Sequence, residues 1–187
     1  MDDLTLAGGF SDPAQQSAQA FRAVMSALAR PGRIEAVRGA EPPAPLSQAA
    51  GVVLLTLCDP ETPVYLTPSL DLPSLRQWIG FHAGAPIVGA DECSFAIGPW
   101  EELLPLDRFR QGCSEYPDRS ATLLVETPLL EARGATLRGP GIRDTAELSL
   151  PEIAAFQQNA RVFPLGLDFI FTCGDRLAAL PRSTEVV

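Results

Sequence analysis

One cysteine sits in the part of this chain that is richest in chemically active side chains, FPLGLDFIFTCGDRLAALPRST at residues 163–184. A cysteine acts as a nucleophile when a base, usually histidine, takes its proton and a third group orients that base. The chain has one histidine, His82, and no nucleophile-elbow pattern surrounds Cys173. A buried structural role for Cys173 is therefore the favoured interpretation. An enzyme that uses Cys173 and His82 is the alternative.

His82 stands near the C-terminal end of a predicted helix, just before Gly84. A charged imidazole at that position interacts favourably with the negative end of the helix dipole. This placement favours a structural capping role over an acid or base role, and both interpretations stay open.

A glycine-rich segment, LRGPGIR at residues 137–143, is the best candidate for binding an anion. Gly139 and Gly141 would let backbone N–H groups cradle a phosphate, and Arg138 and Arg143 flank them. The competing interpretation is an ordinary β-turn, which the absence of a following helix start favours.

Asp168 lies between two apolar residues at the start of a predicted strand. A buried carboxylate is costly unless it is paired, so we expect a partner, with Arg176 and Arg182 available nearby. Once that ion pair is assigned a structural role, any direct function of the segment is better placed at Arg182-Ser183-Thr184 than at Cys173.

The composition excludes several classes of function. All 14 basic residues are arginine, so no lysine can form a Schiff base with pyridoxal phosphate or serve as a Walker-type phosphate ligand. The four cysteines form no CxxC pair, and we expect no metal site and no cofactor. A net charge of −9 with scattered arginines disfavours nucleic acid.

No apolar run approaches the roughly 20 residues of a membrane span. The first ten residues, MDDLTLAGGF, lack a basic signal region, so we predict a cytoplasmic protein with no membrane partner.

The pattern of elements predicts one α/β domain over residues 1–187, with a mixed β-sheet flanked by helices. Asp12-Pro13-Ala14-Gln15 is a helix start with a Gln that can close a capping box, and Phe21, Val24, Met25 and Leu28 follow on one face. The segment 46–58 is ambiguous between helix and buried strand, and its spacing favours helix. Ser149 to Glu152 forms an S-x-x-E capping box that would begin another helix, with Ile153 and Phe156 facing inward.

Strands are predicted along the rest of the chain, with a helix broken at Pro105 between them. FIFTC and RLAAL form the last two strands, an antiparallel hairpin around Gly174-Asp175. The other strand segments are 33–37, 63–67, 85–89, 93–98, 121–127 and short stretches within 129–148.

Several of these segments resemble one known family. PGRIEAV, TLCDPETPVYL, FHAGAPIV and GPGI, and above all FPLGLDFIFTCGDRLAALPRST, are similar to the H subunit (PhnH) of the bacterial carbon–phosphorus lyase system, which breaks down phosphonates. The resemblance implies a fold like the large domain of pyridoxal-phosphate-dependent transferases without the cofactor. The missing lysine agrees with that implication.

The resemblance also implies a role. It suggests a homodimer that assembles with the G, I and J subunits and assists the transfer of a phosphonate onto the ribose C1 of ATP, giving ribose 1-phosphonate 5-triphosphate. No catalytic residue is carried over. The alternative is a stand-alone phosphate- or nucleotide-binding protein that uses the Gly-Pro-Gly segment. The residues in matching segments that could bind substrate or phosphate are Arg22, His82, Arg138, Gly139, Gly141, Asp168, Arg182 and Thr184.

Overall fold

The computed structural model describes residues 7–187 and shows an α/β domain with a six-stranded mixed sheet and a small antiparallel sheet, flanked by helices. Residues 1–6, which belong to the segment inspected for a signal region, lie outside the described range. The helices are α1 (Pro13–Ala29), α2 (Gln48–Leu57), α3 (Pro73–His82), α4 (Trp100–Leu103) and α5 (Ala154–Arg161).

Two sheets contain all nine strands of the described chain. The larger has the order β1-β8-β7-β4-β3-β2, in which β2, β3, β4 and β7 are parallel, β8 pairs antiparallel with β7, and β1 pairs antiparallel with β8. The smaller is antiparallel with the order β6-β5-β9. The strands are β1 (Glu35–Ala36), β2 (Val64–Leu66), β3 (Phe95–Pro99), β4 (Thr122–Glu126), β5 (Ala135–Arg138), β6 (Ala146–Leu148), β7 (Asp168–Cys173), β8 (Arg176–Leu180) and β9 (Glu185–Val186).

The large sheet separates two apolar cores, because successive side chains of a strand point to opposite faces. Leu124 and Ile170 point into the core under α1, α2 and α3. Leu123 and Phe169, one position earlier in the same strands, point into the core under α4, α5 and the small sheet. Burial on both faces explains why β4 and β7 are continuous apolar runs.

Helix α2 confirms the helical interpretation of the segment 46–58. Ser47 caps it by accepting a hydrogen bond from the backbone N–H of Ala50 at 3.2 Å, and the helix ends at Leu57 before Asp59-Pro60. Most of its residues are buried, which explains why the segment is apolar enough to resemble a strand.

The start of α1 is as predicted, but the residues that the helix buries differ from the prediction. The Asp12 side chain accepts from the N–H of Gln15, and Gln16 rather than Gln15 closes the box by accepting from the N–H of Asp12. Of the predicted apolar face, Val24 is buried and Leu28 half-buried, whereas Phe21 and Met25 are exposed. The small residues Ala20 and Ala27 are buried instead, so α1 lies close to the sheet through a smaller surface than the sequence indicates.

The capping box predicted at Ser149–Glu152 was wrong. Helix α5 begins one residue after Ile153, with no side-chain cap, and Ile153 is exposed while Phe156 is buried as predicted. Ser149 instead accepts from the N–H of Glu131, and Glu152 accepts from the indole N–H of Trp100. Tertiary partners thus replace the local hydrogen bonds that the motif would supply.

The strands predicted at 33–37, 63–67, 93–98 and 121–127 are present within two residues of the predicted bounds, whereas the strand predicted at 85–89 is not formed. The segment 85–89 contributes only a single bridge, from Ile87 to Val64. The helix predicted over 100–112 ends at Leu103, and Pro105 precedes a short 3-10 helix at Leu106–Arg108, so the break at Pro105 is confirmed. The hairpin of β7 and β8 is confirmed, with Gly174 at φ +60° in its turn.

Candidate functional site

Asp168 and Arg182 form the ion pair that the sequence predicts. The hairpin pairs Phe169 with Leu180, which returns Arg182 to the start of β7. The backbone N–H of Arg182 donates to Asp168 Oδ1 at 2.8 Å, and its Nε donates to both carboxylate oxygens at 3.1 and 3.2 Å. Arg176, the other predicted partner, lies exposed at the opposite end of β8.

Arg182 is also bound to the loop before β4. Its Nη1 donates to the carbonyl oxygen of Pro117 at 2.7 Å, and its Nη2 donates to the hydroxyl of Ser120. Because protein acceptors occupy its Nε and both terminal nitrogens, few donors remain for a ligand. Arg182 therefore joins three segments of the fold, and its guanidinium group is not free to bind a phosphate.

The Gly-Pro-Gly segment forms a turn at a junction of three segments. The backbone N–H of Ile142 donates to the carbonyl oxygen of Gly139 at 3.1 Å, which confirms the β-turn interpretation. Gly139 (φ +134°) packs against Ser183 and Thr184, and a Cβ on Gly141 (φ +82°) would overlap the carbonyl oxygen of Ala29. The fold thus brings Arg138, Gly139, Gly141 and Thr184 together, and Thr184 is buried there.

Two arginines that sequence reasoning missed stand beside this turn. Arg30 and Arg33, at the end of α1, line a cleft of about 400 Å³ together with Arg143, Gly141 and Thr145. Glu147 also lines the cleft, and Arg33 Nε contacts Glu35 at 2.6 Å. In a chain with net charge −9, this is a local concentration of positive charge. The motif Arg30-Pro31-Gly32-Arg33 carried the signal, because it places two cations around a turn.

The other predicted residues lie apart from this junction. Arg22 is exposed on α1, two turns before its end. His82 is in the last turn of α3, where its ring packs against Trp78 and Phe81 at centroid distances of 5.1 and 4.9 Å. Its buried Nε2 has no hydrogen-bond partner among the described residues, so this nitrogen is not paired with Cys173.

The two buried cysteines, Cys58 and Cys93, do not suggest thiol chemistry either. Burial raises the pKa of Cys58 to about 12 and that of Cys93 to about 11, so both thiols stay protonated at neutral pH. Within residues 7–187, no group of three or more His, Cys, Asp or Glu side chains could hold a metal ion.

A half-buried carboxyl group at the end of β4 was also missed from the sequence. Glu126 Oε1 accepts from the backbone N–H of Ser47 at 2.8 Å, at the start of α2. Burial raises the pKa of Glu126 above its usual value, against the opposing effect of hydrogen bonds from Ser47 and Thr172. The carboxyl ends of parallel strands are where α/β proteins bind ligands, so a strand that ends in an acidic residue was the available signal.

Glu126 should make the stability of the protein depend on pH. A carboxyl whose pKa is raised in the folded state stabilises the fold fully below its unfolded pKa, near 4.5, and loses that contribution as pH rises through the folded pKa. Glu126→Gln, which mimics the protonated form, should therefore be more stable than wild type at pH 7, and its advantage should shrink toward pH 4.

Urea unfolding of both proteins between pH 4 and 8 measures this difference. Glu101→Gln, at an exposed position of α4, is the control and should change stability by less than about 0.5 kcal/mol. A Glu126→Gln protein that loses stability relative to wild type as pH rises would contradict the prediction.

The fold and its polar junctions define a class: a mixed-sheet α/β protein whose described residues form no cluster of His, Cys, Asp or Glu side chains that could hold a metal ion. The chain belongs to the family of bacterial phosphonate metabolism proteins (PhnH), whose family model matches residues 8–187. The resemblance seen in the sequence motifs is thereby confirmed.

Two curated proteins are similar over nearly the whole chain. The alpha-D-ribose 1-methylphosphonate 5-triphosphate synthase subunit PhnH of Rhizobium meliloti (strain 1021) is 41% identical over 188 residues, covering 96% of this chain and 94% of that protein. The "Putative C-P lyase subunit protein HtxG" of Stutzerimonas stutzeri is 31% identical over 186 residues, covering 93% of this chain and 86% of that protein. None of the helices within residues 7–187 has the length and apolar character that a membrane crossing requires.

Proposed function

We propose that this protein is an accessory subunit of a ribose 1-methylphosphonate 5-triphosphate synthase. The observation that carries the proposal is the 41% identity to a subunit of that synthase over nearly the full length of both chains. In this role the protein assists the transfer of a phosphonate onto the ribose C1 of ATP, with displacement of adenine. The engagement of Arg182 and the absence of a Cys–His pair among the described residues support an assisting role over an independent catalyst.

The proposal includes an assembly. The protein forms a homodimer and joins the G, I and J subunits of the carbon–phosphorus lyase system in the cytoplasm. Residues 1–187 act there as one domain, of the kind found as the large domain of pyridoxal-phosphate-dependent transferases but without that cofactor. The lack of any lysine supports this last point.

Co-expression tests the assignment. The protein is produced with the G, I and J subunits from one bacterial operon, with an affinity tag on the I subunit, and the purified complex is assayed for adenine release from ATP plus methylphosphonate. We expect the protein to co-purify in fixed ratio and its omission to lower the rate of adenine release. Absence from the complex, together with an unchanged rate, would refute the proposal.

A second candidate function is direct binding of a phosphate or nucleotide at the Gly-Pro-Gly junction. The cleft lined by Arg30, Arg33 and Arg143 favours it, because arginine forks match phosphate oxygens. Arg138, Gly139, Gly141 and Thr184 would shape this site, and the Asp168–Arg182 pair would hold the neighbouring segment. Arg22 and His82 are proposed only as outlying contacts for a larger ligand.

Calorimetry with ATP and with methylphosphonate tests the second candidate. Removing one charged donor should weaken binding about tenfold or more, so Arg143→Ala and Arg138→Ala should each raise Kd by that factor. Arg161→Ala, on α5, is the matched control and should leave Kd unchanged. No heat with either ligand would end this candidate without affecting the subunit assignment.

A further inference from the structure

A groove of about 530 Å³ runs between α5 and the segment that follows α4. Apolar side chains form much of its lining, contributed by Leu104, Pro105, Leu106, Ala155 and Val162. None of the residues assigned to the polar junctions above lines it, so the groove is a separate feature of the surface.

Large apolar side chains are exposed around this groove. Leu104 and Val162 line it and are exposed, and Ile153 and Phe163 are exposed just beyond the two ends of α5. Each costs free energy in water in proportion to its apolar area. Exposed apolar surface gathered around one eight-residue helix is typical of an interaction site.

The charge of the groove indicates what it can bind. Asp107 and Glu152 are its charged residues, and no arginine lines it within the described chain. Glu152 is fixed by the indole N–H of Trp100 at 3.2 Å. Such a lining repels phosphonates and nucleotides, whereas it complements an apolar segment that carries a lysine or arginine.

The helix beneath the groove is firmly held. Phe156 packs against Trp100 and Phe169 at centroid distances of 4.7 and 4.9 Å. The Asn159 side chain donates to the carbonyl oxygen of Leu167 at 2.9 Å and accepts from its N–H at 2.8 Å. The surface is therefore preorganised, so the entropic cost of ordering it when a partner binds would be small.

We propose that this groove is the docking site for another subunit of the synthase, and that its occupant is an apolar segment of that subunit with at least one lysine or arginine placed against Asp107 and Glu152. The inference rests on the proposed function as a subunit. It adds the surface, the residues that carry affinity and the chemistry of the partner.

Variants at exposed positions test the inference while sparing the core. The probe is the purified G–I–J assembly immobilised through the I subunit, and binding of the protein is measured by biolayer interferometry. Val162→Asp should raise Kd about tenfold or more, because a buried unpaired charge replaces an apolar contact. Asp107→Arg should also raise Kd, and wild-type binding should weaken as salt is added.

Met25→Asp is the matched control, because Met25 on α1 is 46% exposed and Val162 is 43% exposed. It should leave Kd within about twofold of wild type, and all three variants should retain the wild-type Tm. Wild-type affinity in both Val162→Asp and Asp107→Arg would overturn the docking site while the subunit assignment stands. Failure of the wild-type protein to bind the G–I–J assembly would overturn both the docking site and the subunit assignment.

Two other occupants give distinct results. If Val162→Asp turns a dimer of the isolated protein into a monomer by light scattering, a second copy of this chain fills the groove and the inference is wrong. If ATP or methylphosphonate binds the isolated wild-type protein in calorimetry and Val162→Asp abolishes that binding, the groove is a ligand site and the inference is also wrong.

Discussion

Arg182→Met is expected to lower the free energy of unfolding by about 3 kcal/mol, within the range for removing one partner of a buried ion pair. The Arg182 and Asp168 side chains are 13% and 25% exposed, so the carboxylate left behind would be poorly solvated. The substitution also removes the bonds to Pro117 and Ser120, which tie the loop before β4 to the hairpin. For a chain of this size, Tm should fall by roughly 6–12 °C.

Thermal and urea unfolding measure this effect. Arg176→Met is the matched control, because Arg176 is the exposed arginine at the other end of β8, and it should change stability by less than about 0.5 kcal/mol. Asp168→Asn keeps the shape and the hydrogen bond to the Arg182 N–H, so it should cost less than Arg182→Met. Equal stabilities for Arg182→Met and Arg176→Met would show that the junction contributes little.

Phe156→Ala should have the largest effect on stability, a loss of about 4 kcal/mol, typical of a buried phenylalanine reduced to alanine. The Phe156 ring contacts Trp100, Phe169 and Phe171, and the cavity left among three aromatic rings cannot close easily. Because Phe156 is the buried residue of α5, its loss should also loosen the helix that carries the groove.

Phe21→Ala provides the comparison for Phe156→Ala. Phe21 is the same residue type on a helix but is exposed on α1, so its loss should cost less than about 0.5 kcal/mol in urea unfolding. Phe156→Ala should weaken subunit binding only through instability, with a lowered Tm, whereas Val162→Asp should weaken binding at unchanged Tm. Equal losses of stability in Phe156→Ala and Phe21→Ala would contradict the role assigned to the aromatic cluster.

Elements with strong local signals were predictable from the sequence. The hairpin of β7 and β8 follows from two apolar runs around Gly174-Asp175, and α2 follows from apolar spacing that ends at a proline. The capping box at Ser149 failed because the competing partners, Glu131 and Trp100, come from other elements. The exposure of Phe21 and Met25 could not be predicted, since helix spacing identifies an apolar face but not the depth at which it packs.

The same distinction applies to the site. The pair of Asp168 and Arg182 was predictable because one local hairpin brings the two residues together. The Asp168 carboxylate also needs a charged or hydrogen-bonding partner once it is removed from water. The motif Arg30-Pro31-Gly32-Arg33 indicates two cations around a turn, but the sequence does not show that this turn packs against the Gly-Pro-Gly turn through Ala29 and Pro31. The site at Glu126 could not be predicted from the sequence. Its prediction requires knowing that β4 is a central parallel strand and that α2 begins above the end of this strand.

The strand order has a consequence for how this protein is made. Strand β1 pairs with β8, and β7 lies beside β4, so the helices α1 and α2 pack on strands that are synthesised more than a hundred residues after them. On the ribosome, α1 and α2 lack their main partner strands, β8 and β7, until residues 168–180 have emerged, which leaves apolar surface of both helices open to chaperones and to aggregation. Stalled nascent chains should therefore become resistant to protease only when the stall point lies beyond that hairpin.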